Sequence, residues 1–223
     1  MDLNIASGEL DRAYDLLASD EKARAACFAF AVHRRRFVAA RAALREVLGV
    51  QLDLDARDLV FRYTPEGKPE LADHPGLQFS VSHSADLCLI AVARGVRVGI
   101  DIEAMAGNQA QMQEVIRSFH PVEREALNSI DPALRKRAFY RCWVRKEAFL
   151  KALGVGLGGG LKRFHVSLGH QAQLLGSDPA LATASDWTLV AMDGEGYAAA
   201  MAIEGARCRR PAAEDMDCAS SPQ

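Results

Sequence analysis

Apolar positions recur at helical spacing beginning at Ser19, where a hydroxyl followed by Asp20 and Glu21 has the composition of a helix start. The pattern runs through Phe28, Phe37, Ala40, Leu44 and Leu48 to Gly49, which can end it, and its length predicts a break near His33. Two clusters of turn residues, 64–69 (T-P-E-G-K-P) and 73–76 (D-H-P-G), predict loops. The period then drops to two. Phe79 and Val81 alternate with Ser80 and Ser82, residues 87–93 form an apolar run, Arg94-Gly95 can turn, and 96–102 alternates again, so a β-hairpin is the natural reading.

Helical spacing returns over about 109–127 and 132–153, and the glycine-rich stretch 154–160 stops it. Strands are predicted at 164–168, 187–192 and 197–203. From about Ala206 the chain is Pro-, Ser- and acid-bearing without periodicity, so 206–223 is expected to be a disordered tail. The order of helix, strands, helices and strands predicts an α+β fold. Two α/β halves are expected, 1–97 and 98–205, each with helices packed on a small, mostly antiparallel sheet. No internal sequence repeat establishes such halves.

Composition narrows the class. The 223 residues carry a formal net charge of −2, which argues against general nucleic-acid binding. The basic residues are unevenly spread, with runs at 33–36 (H-R-R-R) and 135–146 that read either as anion sites or as solvated helix faces. No stretch approaches the apolar length of about 20 residues needed to span a bilayer, so no membrane association is expected. The five cysteines lack paired metal-ligand spacing, and no signal peptide is recognisable, which together suggest a cytoplasmic protein with reduced thiols.

Three constellations carry candidate chemistry. In G-I-D-I-E (99–103), residues two apart share one face of a strand, so Val98, Ile100 and Ile102 face a core while Asp101 and Glu103 emerge together. Such carboxylates repel unless a cation lies between them, and a hard ion such as Mg²⁺ suits them; a solvated strand end is the plain alternative. In W-V-R-K-E-A-F-L-K (143–151), Glu147 and Lys151 are four apart on a helix, either as an ordinary ion pair or as metal ligand and phosphate clamp. In F-S-V-S-H-S (79–84), His83 and its flanking hydroxyls can bind phosphate, or the serines can satisfy backbone groups in a turn. No G-x-S-x-G elbow accompanies the Ser-His pair.

Together with G-K-P at 67–69, these motifs in this order resemble the 4′-phosphopantetheinyl transferases, surfactin-synthetase-activating type, over roughly residues 19–166. The length is similar to that of the pseudodimeric class. The resemblance implies that fold and a monomer. The implied activity is Mg²⁺-dependent transfer of the 4′-phosphopantetheine group of coenzyme A to a serine of an apo acyl or peptidyl carrier protein, releasing adenosine 3′,5′-bisphosphate. That is holo-[acyl-carrier-protein] synthase activity (EC 2.7.8.7), serving fatty acid, polyketide or nonribosomal peptide synthesis.

Residue by residue, the resemblance implies Asp101, Glu103 and Glu147 as metal ligands. Lys146 and Lys151 match pyrophosphate contacts, and Lys151 can also assist the departing nucleotide. Ser82 and His83 match contacts to the 3′-phosphate, Lys68 a nucleotide contact, and Arg24 another phosphate ligand, with Arg36 a candidate for the same region. Glu123 falls where the family has a proposed base, and Glu147 is its rival; the sequence does not choose. Lys22 stands out of register with the lysines some members carry near Arg24. Arg135–Arg141 or the loop near Gln109 is the implied meeting point for an acidic carrier. The competing readings are a coenzyme A- or carrier-binding module without catalysis, a metal-dependent pyrophosphate hydrolase, for which the R-E-x-x-E-E helix is missing, and an α+β protein with scattered ion pairs.

Overall fold

The computed structural model describes residues 1–156, 158 and 160–205, so the expected tail at 206–223 lies outside the described residues. The first half runs α1 (Ser7–Asp15), α2 (Ser19–Ala26), α3 (Ala31–Leu52), β1 (Phe61–Tyr63), β2 (Pro69–Leu71), β3 (Leu77–Ser84) and β4 (Leu87–Arg94). The second runs β5 (Val98–Ala104), α4 (Gln109–Ile116), α5 (Pro121–Ser129), α6 (Pro132–Leu153), β6 (Phe164–Val166), β7 (Leu174–Ser177), β8 (Trp187–Ala191) and β9 (Tyr197–Glu204). The pairs β1-β2, β3-β4 and β6-β7 and the three-stranded sheet β5-β9-β8 are antiparallel throughout.

Several boundaries differ from expectation. The break in the first helical pattern falls at 27–30, ahead of His33. Gly49 does not end α3, which continues to Leu52 and stops at Asp53 in the left-handed region (φ 57°). Gly49 is instead where the returning chain crowds the helix: a Cβ there would stand 2.8 Å from the Leu54 carbonyl oxygen. The hairpin is β3-β4, and the alternating segment after Arg94-Gly95 leaves it to join β9. The short elements α1, β1, β2 and β7 carry too little periodicity to be read from sequence.

The strands β3 and β5 lie side by side where the halves meet, and serines join them. The Oγ atoms of Ser80, Ser82 and Ser84 accept the amides of Ile100, Ile102 and Ala104 at 3.1, 3.4 and 3.0 Å. The edge of β5 facing away from β9 therefore has its donors satisfied by side chains, which relieves buried N–H groups of an unpaired state. The reading in which the serines satisfy backbone groups was correct in kind; the groups belong to the neighbouring strand rather than to a turn.

The other face of β5 is covered by α6. At Gly99 a Cβ would stand 2.0 Å from the Ala148 carbonyl oxygen and 2.4 Å from the Ala152 amide, so strand and helix backbones are in direct contact. On β9, Ala198, Ala199, Ala200 and Ala202 are fully buried, and small side chains there let the helix lie close. Consequently Asp101 is 3 % exposed, and the solvated strand end is excluded as its setting.

Candidate active site

The site forms where α6 crosses β5 at the seam between the halves. Asp101 Oδ1 accepts two hydrogen bonds of 2.7 Å, from Ser82 Oγ and Lys151 Nζ. Glu103 Oε2 accepts from Ser84 Oγ at 2.8 Å. The serine ladder therefore performs two tasks at once: each hydroxyl of Ser82 and Ser84 accepts from the β5 backbone and donates to a β5 carboxylate. Glu147, one helical turn before Lys151, reaches the same carboxylate group from α6.

Charge is concentrated here. Burial pushes the Asp101 carboxyl upward, opposed by Lys151 and Ser82. Glu103 is raised by burial and by Asp101, opposed by its bond from Ser84 and by Trp143. Glu147 is pushed up to about 7, by burial first and then by Asp101 and Glu103, with Lys151 opposing. Asp101 Oδ2 and Glu147 Oε1 are buried without any hydrogen-bond partner. Three mutually repelling carboxylates, two with an oxygen left over, form an acceptor set short of positive charge. A hard cation fits that shortage. Among the described residues no three His, Cys, Asp or Glu side chains are already closed around one point. Mg²⁺ does not require such a cage, because it keeps several waters and takes one or two carboxylates together with substrate phosphates.

Lys151 also borders a cleft of about 220 Å³ between the halves, lined by Lys68, Phe79, Val81, Leu150 and Gly154 among others. The Lys68 stem packs 3.3 Å from the position of a Cβ on Gly154, which holds φ +74° at the end of α6. Lys68 Nζ donates to the Ala152 carbonyl at 3.3 Å, a favourable place for a cation at a helix C-terminus. Burial lowers the Lys68 pKa, with Glu70 opposing and Arg97 adding to the shift. His83 is exposed, and its pKa is lowered by partial burial and then by Lys151 and Arg36. Arg36 pairs with Asp86 at 2.8 Å. Apolar walls with Lys68 and Lys151 between them suit a flat ring carrying phosphates.

Four expected roles require correction. Ser82 is buried, and its single donor is committed to Asp101, so it orients a carboxylate rather than donating to phosphate. Lys146 is fully buried, and its three donors go to Glu123 Oε1 (2.8 Å), Glu123 Oε2 (2.7 Å) and the Phe164 carbonyl (2.8 Å). A lysine has no fourth donor for a pyrophosphate. Glu123, 1 % exposed, accepts in addition the His120 and Val166 amides at 3.0 and 2.8 Å, so no oxygen is open to a substrate hydroxyl. Arg24 is exposed on α2 with its guanidinium over the Phe37 ring, and it is not among the residues lining the cleft.

The basic run 135–146 also resolves into separate tasks. Arg135 caps the Asn128 and Ile130 carbonyls, Arg141 pairs with Asp193, and Arg145 caps the carbonyls of Ser167, Gly169 and His170. Lys136 and Arg137 remain exposed. Sequence reasoning grouped Ser84 with the phosphate-binding hydroxyls and gave Gly99 no role, although the S-x-S-x-S period and the glycine on the same strand face as Asp101 were both visible in it.

Comparison with known proteins agrees with this architecture. Residues 5–94 match the family model described as "4′-phosphopantetheinyl transferase, N-terminal", and residues 97–202 match that of the "4′-phosphopantetheinyl transferase superfamily". The chain is 38 % identical over 194 residues to the 4′-phosphopantetheinyl transferase HetI of a Nostoc species, covering 85 % of this chain and 79 % of that protein. It is 31 % identical to a phosphopantetheinyl transferase of a Thraustochytrium species, covering 84 % of this chain and 70 % of that one. It is 32 % identical to the human L-aminoadipate-semialdehyde dehydrogenase-phosphopantetheinyl transferase, of which it spans about half, 52 %, with 67 % of this chain covered. With a carboxylate cluster at the seam of two halves and both halves matched, the chain belongs to the 4′-phosphopantetheinyl transferase family.

Proposed function

We propose that the chain transfers the 4′-phosphopantetheine group of coenzyme A to a serine of an apo acyl or peptidyl carrier protein, with Mg²⁺ and release of adenosine 3′,5′-bisphosphate, as a pseudodimeric, surfactin-synthetase-activating-type member. The observation that carries this reading is the pair of unpartnered buried oxygens, Asp101 Oδ2 and Glu147 Oε1, beside Lys151 at the end of the cleft.

Phe79, Val81 and Leu150 offer an apolar wall to the nucleotide base, with Lys68 near it. His83, with Arg36 behind it, stands for the 3′-phosphate. Asp101, Glu103 and Glu147 would hold Mg²⁺, which when bound neutralises charge on the pyrophosphate and on the leaving phosphate. The carrier serine supplies the nucleophile: its oxygen forms the new bond to phosphorus while the bond to the departing adenosine 3′,5′-bisphosphate breaks. Glu147, whose Oε1 has no hydrogen-bond partner, is suited to take the serine proton. Lys151 donates to the leaving phosphate once substrate draws it from Asp101. Carrier docking is assigned to exposed Lys136 and Arg137, whose charge complements an acidic partner.

The test is intact-mass spectrometry of an apo carrier incubated with the chain, coenzyme A and Mg²⁺. A mass gain of one phosphopantetheinyl group that disappears with EDTA is expected. No gain across carriers of several pathways, with coenzyme A still bound, would leave a binding module.

A further inference from the structure

The fully buried Glu123–Lys146 pair is left without a role by the chemistry above, and the first half of the molecule contains its counterpart. There, Glu21 of α2 pairs with Arg41 and, at 2.6 Å, with Arg45 of α3, all three buried. Both glutamates sit at the third position of a short helix, and both reach back to the amide that precedes it: Ala18 to Glu21 at 2.8 Å, His120 to Glu123 at 3.0 Å. Both cations lie on a 22-residue helix that ends in a left-handed residue, Asp53 or Gly154, and each stands eight positions before it. Both then cap carbonyls of the chain that follows: Arg45 those of Ala56 and Leu59, Lys146 that of Phe164. One device therefore occurs twice, once in a half that contributes no carboxylate to the site.

In the second half the device touches the site through the helix. Glu147 follows Lys146 directly, about 100° further round α6, and Lys151 lies one turn on. Drawing the Lys146 ammonium into the pocket between Glu123 and Phe164 fixes the rotation of α6 that presents Glu147 and Lys151 to Asp101. Glu123 Oε1 also accepts the Val166 amide, so the same pair ties down β6, beyond the glycine-rich connection that borders the cleft. We propose that Glu123 and Lys146 are positioning residues that set the rotation of α6, and that neither touches substrate. The inference rests on the transferase reading for its kinetic consequences but not for its structural ones.

The test is a cycle of Glu123→Gln, Lys146→Met and the double variant. For each, melting temperature and the kcat and coenzyme A KM of carrier modification are measured well below the lowest melting point. Each single variant leaves one buried charge unpaired and should melt lower. Because binding and chemistry both depend on α6, KM should rise and kcat fall together, for a combined loss of about a hundredfold. The double variant, with no buried charge left, should recover most of both.

A kcat loss in Glu123→Gln at unchanged KM and melting point, not restored by adding Lys146→Met, would make Glu123 the base and overturn the proposal. A KM increase confined to Lys146→Met would make that lysine a substrate contact. Native kinetic constants in the folded single variants would reduce the pair to a purely structural one. Should a single variant fail to fold, the double variant decides: folded and active supports the proposal, while folded and inactive, or unfolded, overturns it. Absence of transfer by the wild type would refute the transferase reading, and the melting cycle would then judge the pairing alone.

Discussion

The Ser82 hydroxyl donates to Asp101 Oδ1 at 2.7 Å while accepting the Ile102 amide, so one side chain both joins the halves and aims a carboxylate. Assembly of the seam and assembly of the site are thus the same event. A module that only bound coenzyme A would have no need to bring three carboxylates together in this way.

Ser82→Ala is accordingly expected to destabilise the fold by about 1–3 kcal/mol, the cost of leaving a buried amide unsatisfied. It should also weaken transfer, because Asp101 loses one of the two hydrogen bonds that orient its carboxylate. Urea unfolding together with steady-state transfer assays checks both effects. Full stability with reduced transfer would mean that the ladder does not hold the seam.

Gly99→Ala tests the contact that brings α6 to β5. The added methyl would overlap the backbone at Ala148 and Ala152, neither of which can rotate away, so helix and strand must separate. A loss of about 1–3 kcal/mol or more is expected, with transfer falling more steeply than stability because Glu147 and Lys151 move off Asp101. Thermal melts and kcat/KM measured on the same preparation separate the two losses.

Much of this arrangement was legible in the sequence. The period-two serines and acids on β3 and β5, the helix carrying Glu147 and Lys151, and the stop at Gly154 all follow from local pattern. Burial was not legible. Lys146 and Glu123 read as substrate-facing groups, a pyrophosphate contact and a base, because nothing local shows that α6 is enclosed by α5, β6 and the alanine-rich β9. The pairing of β3 with β5 through side chains escaped for a related reason: hydrophobic alternation identifies strands, whereas the neighbour of a strand is decided by the packing of the whole chain. Gly49 misled because a glycine near a helix end is usually read as a stop, while here it admits a returning backbone.

The raised Glu147 pKa has a sign that stability measurements can read. Its folded value of about 7 lies above the unfolded value of 4.5, so between those pH values the folded state holds more protons. Stability of the metal-free protein should therefore fall as pH rises through that window, with the full penalty present above pH 7. Glu147→Gln removes the penalty, so it should be more stable than wild type at pH 8 in EDTA and nearly equal to it near pH 4.5. Equal stabilities at both pH values would mean that Glu147 is not held beside Asp101 and Glu103.

His83 provides the last test, because it separates recognition of coenzyme A from the chemistry. Partial burial, Lys151 and Arg36 all keep the imidazole neutral to lower pH than an ordinary histidine. A phosphate placed against it would reverse that balance, since a dianion favours the imidazolium. Coenzyme A binding near pH 7 should therefore take up protons, measured by calorimetry in buffers of different ionisation heat. Dephospho-coenzyme A should take up fewer, and His83→Gln should remove the difference. The same substitution should raise the KM for coenzyme A more than that for dephospho-coenzyme A and leave kcat nearly unchanged. Equal KM effects on the two substrates would place the 3′-phosphate elsewhere, with Lys68 as the next residue to change.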